Sequence, residues 1–407
     1  TCIDITGNSN TSSTRQFIVD YSAPSITVSS PVANSSAGSV VYIYTEITDS
    51  LTSIGQASYT IYNGSNLLSS GSLNSSNNWD SVWNSSAYGE VEMNLTLVIT
   101  ANDTVGNLAT SNVSFYLDNV NPVIQLVRPP ELLTYYNSNF ALNVIVQDLS
   151  LNYTNYSVYS SGSGSVVQQN SSSYGSTTTS HTWTDLINIS GFDDGYYNLT
   201  VFGGDSVGNS KTASTLFIAD NTEPELTLHS PSSLYGNSAN ILFNFTVVDN
   251  ISSVLVCNIT SGGITPSFIC VNSSSCNYTF TGFSDVLYNY SVFCKDNASN
   301  VVGYSSNITI DTISPITEFS QSTSSGNLSQ NNIGANVSVI DTNLATINIY
   351  FYNSTGNLIN TSSSSATPFF VNFTNLDDGL YYFNSTSSDL AGNSANTTTR
   401  VVSIDTI

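Results

Sequence analysis

Positive charge is what this chain lacks most. Its 407 residues hold 5 Lys+Arg against 28 Asp+Glu, a formal net charge of −23. Arg15, Arg128, Lys211, Lys295 and Arg400 cannot build the basic face that phosphate recognition needs, so a nucleic-acid partner is excluded. Charged residues of either sign are scarce, at 8%, against about 25% in ordinary soluble domains. No apolar run approaches the roughly 18 residues of a membrane-spanning helix, so no transmembrane segment is expected in this chain. Thr1 opens neither an initiator methionine nor a signal peptide, and a processed form or a fragment is expected.

Catalytic residues are equally sparse. The two histidines, His181 and His229, have no nucleophile in a recognisable context beside them. The run Ser161-Gly162-Ser163-Gly164-Ser165 has no phosphate-binding lysine and reads as loop. Asp193-Asp194 and Asp377-Asp378 occupy matching places in a repeat and read as turns. A non-enzymatic chain is expected. Cysteine is limited to Cys2, Cys257, Cys270, Cys276 and Cys294, and no C-x-x-C occurs, which argues against zinc. Two disulfides among the last four, in an oxidising compartment, are the better reading; three pairings are open.

What is present is material for a core: 24 Tyr, 18 Phe and abundant Val and Ile. Helical periodicity is absent. Alternation marks strands at Val41–Ile47, Ala141–Val146, Ile241–Val247 and Ala345–Phe351. Trp79, Trp83, Trp183 and Tyr88 read as core or strand-face packing, with an aromatic sugar platform as the alternative.

A repeat of about 95 residues organises the chain. Asp103-Thr104-Val105-Gly106-Asn107 recurs as Asp205-Ser206-Val207-Gly208-Asn209 and as Asp389-Leu390-Ala391-Gly392-Asn393. Weaker copies are Asp296-Asn297-Ala298-Ser299-Asn300 and Asp4-Ile5-Thr6-Gly7-Asn8. After each motif a strand ends in Asp, usually with Pro four residues on: Asp20 and Pro24, Asp118 and Pro122, Asp220 and Pro224, Asp311 and Pro315. Proline fixes φ and lacks an N–H, which suits a linker or the start of an edge strand.

Four units follow, 24–118, 122–220, 224–311 (the one carrying the disulfides) and 315–405, preceded by the terminal strands of an earlier unit at 1–20. Each has the size of an immunoglobulin-like sandwich. The predicted fold is all-β, tandem immunoglobulin-like β-sandwiches in a rod-like array. Tyr197, Tyr288 and Tyr381 each lie eight residues before a motif Asp, matching the tyrosine corner that ties strand F to the backbone; Leu95 takes that place in the first unit.

The loop motif and the linker together resemble the Ig-like repeats of bacterial and archaeal surface proteins, with their D-x-A-G-N loop and V-D-x-x-x-P linker. The stretch Cys2–Asp20 is especially similar to repeats of long archaeal envelope proteins. The resemblance implies an extracellular or cell-surface location and a role as stalk, adhesin, surface layer or filament. In cysteine-bearing repeats of this kind a strand-C cysteine pairs with a strand-F cysteine. That implies Cys257–Cys294 and leaves Cys270–Cys276 as a local staple; Cys2, two residues before its motif Asp as Cys294 is, is expected to pair with an upstream cysteine, with a free thiol as the alternative.

A third acid recurs after the second strand, as Asp49, Asp148, Asp249 and Asp341. In an Ig sandwich the B–C and F–G loops lie at the end where the preceding strand arrives, so acids should converge there. The sets are Asp20, Asp49 and Asp103 with Asn107; Asp118, Asp148 and Asp205 with Asn209; Asp220, Asp249 and Asp296 with Asn300; Asp311, Asp341 and Asp389 with Asn393. Carboxylate oxygens in such groups suit Ca²⁺, which takes about 6–8 oxygen ligands. The same residues are also ordinary turn formers.

The chain carries 28 N-x-S/T sequons. They include Asn34, Asn63, Asn84, Asn152, Asn170, Asn258, Asn272, Asn277, Asn353 and Asn384, and N-linked glycans are expected on several of those in turns. The reading as a whole is a structural, non-enzymatic segment of an archaeal surface layer or filament, self-associating with copies of itself. An adhesin stalk, or the accessory repeats of a larger extracellular protein, is the alternative.

Overall fold

The computed structural model describes residues 1–175 and 178–407. The chain forms two compact units, 1–219 and 220–407, and each holds two β-sandwiches. Among the described residues there is no α-helix, only three single 3-10 turns. These are tandem immunoglobulin-like β-sandwiches.

The first sandwich shows the plan. One sheet has strands A (Ser25–Ser30), B (Val40–Thr48) and E (Ser81–Asn84) in the order A-B-E. The other has A′ (Ser36–Ala37), G (Leu108–Asp118), F (Glu92–Asp103), C (Ile54–Asn63) and C′ (Asn66–Leu73) in the order A′-G-F-C-C′. A′ runs parallel to G, while the other pairs are antiparallel. The strand period of two builds the core directly. In strand B, Val41, Ile43, Thr45 and Ile47 are buried, while Val40, Tyr42, Tyr44 and Glu46 face water.

The other three sandwiches repeat this order. Each has its own apolar core, centred on Val144, Tyr156 and Trp183 in the second, Phe243 and Phe245 in the third, and Ile349 and Phe351 in the fourth. Linker prolines Pro24, Pro122, Pro224 and Pro315 are all buried just before an A strand, a place where no ladder N–H is required. Three A strands end at a cis peptide, Ser30-Pro31, Arg128-Pro129 and Ser230-Pro231.

The tyrosine corners form as the spacing predicts. The Tyr197 hydroxyl donates to the main-chain oxygen of Asp193 at 2.8 Å, and that of Tyr381 to Asp377 at 3.0 Å. Tyr288 instead accepts from the Ser284 N–H at 3.2 Å. Leu95 is a core residue of the first sandwich.

Residues 1–20 hold one short ladder. Cys2–Ile3 pairs antiparallel with Ser9–Asn10 around the Asp4–Asn8 turn. Beyond it, Phe17, Ile18 and Val19 form no ladder and are 85%, 65% and 59% exposed. A β-strand needs neighbouring strands to satisfy its backbone, and a lone two-stranded ladder is marginal. Among the described residues no sheet reaches this segment. Cys2 is exposed and carries no disulfide.

Candidate functional site

The F–G turn is built by its aspartate. Asp103 ends strand F, and its Oδ1 accepts the N–H groups of Val105, Gly106 and Asn107 at 2.9, 2.6 and 2.8 Å. Gly106 sits at φ +101°, a region that glycine enters without a Cβ penalty. Asn107 donates Nδ2 to Asp103 Oδ2 at 2.7 Å and to the main-chain oxygen of Asp20 at 3.1 Å. Each repeat closes in this way. Asn209 reaches Asp118, Asn300 reaches Asp220, and Asn393 reaches Asp311, at 2.9, 3.0 and 2.7 Å. In the third sandwich Ser299 takes the glycine place at φ +80°.

The B–C loop supplies the second acid. Asp49 Oδ1 accepts from the Leu51 and Thr52 N–H groups at 2.9 and 2.8 Å. Asp148 accepts from Ser150 at 2.8 Å, Asp249 from Ile251 at 2.9 Å and Asp341 from Asn343 at 2.7 Å. The linker acid comes third. Asp20 takes the Thr52 hydroxyl at 2.9 Å, Asp118 the Ser150 hydroxyl at 3.1 Å, and Asp311 the Asn343 Nδ2 at 2.7 Å.

All four predicted triads assemble: Asp20, Asp49 and Asp103; Asp118, Asp148 and Asp205; Asp220, Asp249 and Asp296; Asp311, Asp341 and Asp389. In each, one carboxylate oxygen per residue lies within 4.8 Å of the others. The asparagines have a different duty from the one expected. Asn107, Asn209, Asn300 and Asn393 turn an N–H donor, not an oxygen, toward the acids. The candidate ligand set is therefore three aspartates per cluster.

Electrostatics separates turn chemistry from clustering. Burial pushes the carboxyls of Asp118, Asp148, Asp296 and Asp341 up, and neighbouring carboxylates of the same cluster add to it. Burial also raises Asp103, but the Asn107 side chain and the turn N–H groups outweigh it and hold the carboxyl low. At Asp49 the N–H groups of Thr52 and Leu51 lower it. The exposed Asp4 turn has the same bonds and no cluster; the Asn8 N–H leads the bonds that bring its carboxyl to about 2. Asn353–Asn357 makes the same turn with a neutral first residue, Asn353 Oδ1 accepting from Thr355 and Asn357 at 3.1 and 2.9 Å. The turn thus needs neither charge nor metal. What the four clusters add is two further carboxylates, with no histidine or cysteine among the donors. That all-oxygen set fits a hard divalent cation.

Two of the five cations pack over aromatic rings. The Arg128 guanidinium lies over Tyr136 and Phe140 at 5.6 and 5.5 Å, and Arg400 over Phe319 at 4.9 Å.

No protein-family model matches the chain, and no curated protein matches it. Solved structures do. A tetra-tandem repeat from the extending region of a large adhesion protein is 18% identical, covering 95% of this chain and 100% of that one, with a TM-score of 0.35. Titin domains I67–I69 are 11% identical, over 72% and 100%, with a TM-score of 0.37. The fibronectin(III)-like modules of Clostridium thermocellum CbhA are 17% identical, over 48% and 94%, with a TM-score of 0.26. At these values the likeness carries no argument about the site.

The remaining candidates sort by environment. The disulfides are Cys257–Cys294, joining strands C and F, and Cys270–Cys276, joining C′ and E. All four sulfur-bearing residues are buried. Ala57 and Ala101 hold the C–F disulfide position in the first sandwich. Asn34, Asn63, Asn84, Asn152, Asn170, Asn258 and Asn277 are exposed; Asn353 and Asn384 are half-buried. Asn272 is committed to the fold, bonding the main-chain N–H and oxygen of Asp249 at 3.0 and 2.6 Å. Trp83 and Trp183 are core residues. His229 is a strand residue bonded to Thr246 Oγ1 at 3.2 Å. Asp378 accepts from the Thr406 N–H at 3.0 Å, a turn role. No helix of the described residues is long and apolar enough to cross a membrane.

The cis-proline strand ends, the acid-to-threonine ties such as Asp285 with Thr312 at 3.1 Å, and the neutral Asn353 turn have no counterpart in the sequence reading. A D-x-[LY]-Y spelling at Asp285 and Asp378 marks two of these acids, and Asn353–Asn357 spells N-x-x-G-N.

Proposed function

We propose that this chain is a structural, non-enzymatic stretch of an extracellular surface layer or filament, glycosylated on its exposed sequons, whose aspartate clusters take up Ca²⁺. One observation carries the reading: three carboxylates meet at each of four successive linkers, with oxygens within 4.8 Å. Like charges brought that close are unfavourable unless a cation joins them. A cation shared by the linker acid and two loop acids fixes the entering strand on the next sandwich, which is what a load-bearing array requires. Buried disulfides fit an oxidising, extracytoplasmic setting. Copies associate side by side or end to end, as the building blocks of an ordered polymer must.

The test has two parts. Calorimetric titration of the EDTA-treated chain should show calcium uptake and a rise in melting temperature; neither occurring would remove the metal. Electron microscopy of native material should show lattices or ordered polymers. Isolated fibrils with a distinct tip would instead make the chain an adhesin stalk.

A further inference from the structure

The first sandwich carries a surface that its sisters lack. Outward on strand B, Tyr42 and Tyr44 stack at 5.8 Å between ring centroids, 26° from parallel. Both remain about half exposed, at 50% and 44%. Five residues before the B–C loop Asp, where this sandwich has Tyr44, the other three have Asn143, Asn244 and Asn336. The fold therefore accepts a small amide at that place and does not need a ring there.

Beside Tyr44 lies a groove of about 520 Å³, lined among others by Ser29, Glu46, Asn78, Trp79 and Asp80. Its volume falls in the range of small-molecule sites. Trp79 is fixed there at some conformational cost. It sits at φ +65°, rare for so bulky a side chain, after Asn78 at φ +50°. The Thr45 hydroxyl donates to its main-chain oxygen at 2.6 Å, and Asp80 Oδ1 accepts the Thr45 N–H at 3.1 Å. Trp83 and Trp183 are closed in the core, whereas Trp79 is half-buried at the edge of the first core and lines this groove.

We infer that this groove binds a neutral sugar, with Tyr44 and Trp79 as the aromatic faces. Pyranose rings present an apolar C–H face that aromatic side chains cover, while their hydroxyls donate to carboxylates and amides. Tyr44 and Trp79 supply the first, and Glu46, Asp80 and Asn78 the second. The two acids, on a chain of net charge −23, repel uronic and other acidic sugars. A neutral glycan could belong to a neighbouring copy or to a free polysaccharide. The inference stands whether or not the aspartate clusters hold calcium.

The full chain is titrated with the pentasaccharide core of N-glycans, with cellotriose, with chitotriose and with tri-galacturonate, following tryptophan emission and heat. At least one neutral sugar should saturate and change the emission, and tri-galacturonate should not. Tyr44→Asn, the residue the sister sandwiches carry, should fold normally and bind about tenfold more weakly. Binding of the N-glycan core alone points to a glycan of another copy; binding of cellotriose or chitotriose points to a free polysaccharide. No saturation by any neutral sugar, equal binding of tri-galacturonate, or unchanged affinity in Tyr44→Asn would overturn the inference.

Discussion

Asn209 donates its side-chain Nδ2 to the main-chain oxygen of Asp118 at 2.9 Å, across 91 residues of sequence. With the Ser210 N–H, which donates to Asn121 Oδ1 at 3.2 Å, that bond fastens the F–G turn of the second sandwich to the linker entering it. A buried acceptor left without its donor costs about 1–3 kcal/mol. Asn209→Ala should therefore loosen the linker at 118–122 by that amount, seen as faster amide hydrogen exchange there. The fourth sandwich's own core around Phe351 should keep its protection.

The second cluster should respond to charge removal in opposite senses with and without metal. Burial and the neighbouring carboxylates raise Asp148. A raised acid binds its proton more tightly folded than unfolded. Its contribution is favourable below the unfolded pKa and is lost as pH rises through the folded one. Near neutral pH, Asp148→Asn should raise the melting temperature of the EDTA-treated chain and weaken its stabilisation by calcium. A fall without metal, or an unchanged response to calcium, would count against the cluster as a cation site.

His181 offers a separate pH signature. Its pKa is lowered by burial against the opposing charge of Asp185, and its ring packs on Trp183 at 4.5 Å. The folded state favours neutral imidazole, so stability is present above the ordinary value of about 6.5 and declines as pH falls toward the lowered one. His181→Gln should flatten this decline in thermal melts between about pH 7 and 5.

Reduction should act on one sandwich. Cys257 and Cys294 are 37 residues apart, and a loop of that length is worth about 3–4 kcal/mol in the chain-entropy account. Replacing both by alanine, the pair found at Ala57 and Ala101, should lower stability by about that much while keeping the fold. Peptide-level hydrogen exchange should show the change between residues 224 and 311.

The sandwich plan was legible because alternation such as Val41–Ile47 is a direct image of a two-faced strand. The acid triads were legible because Asp20, Asp49 and Asp103 recur at fixed repeat positions, and the plan puts those positions at one end. The asparagines were misplaced because sequence gives an amide's position and not which of its atoms faces inward. Tyr44 could not be singled out from sequence, since an outward tyrosine and an inward one differ only in register.

Asp118 ends the last strand of one sandwich and also belongs to the acid cluster of the next. A folded sandwich and the stretch that carries a complete cluster therefore do not share a boundary. A repeat exchanged from proline to proline would deliver a complete sandwich but leave its first cluster to whatever acid the upstream neighbour supplies. Gene duplication and recombination in such an array conserve the junction only when the exchanged segment carries the linker aspartate with it.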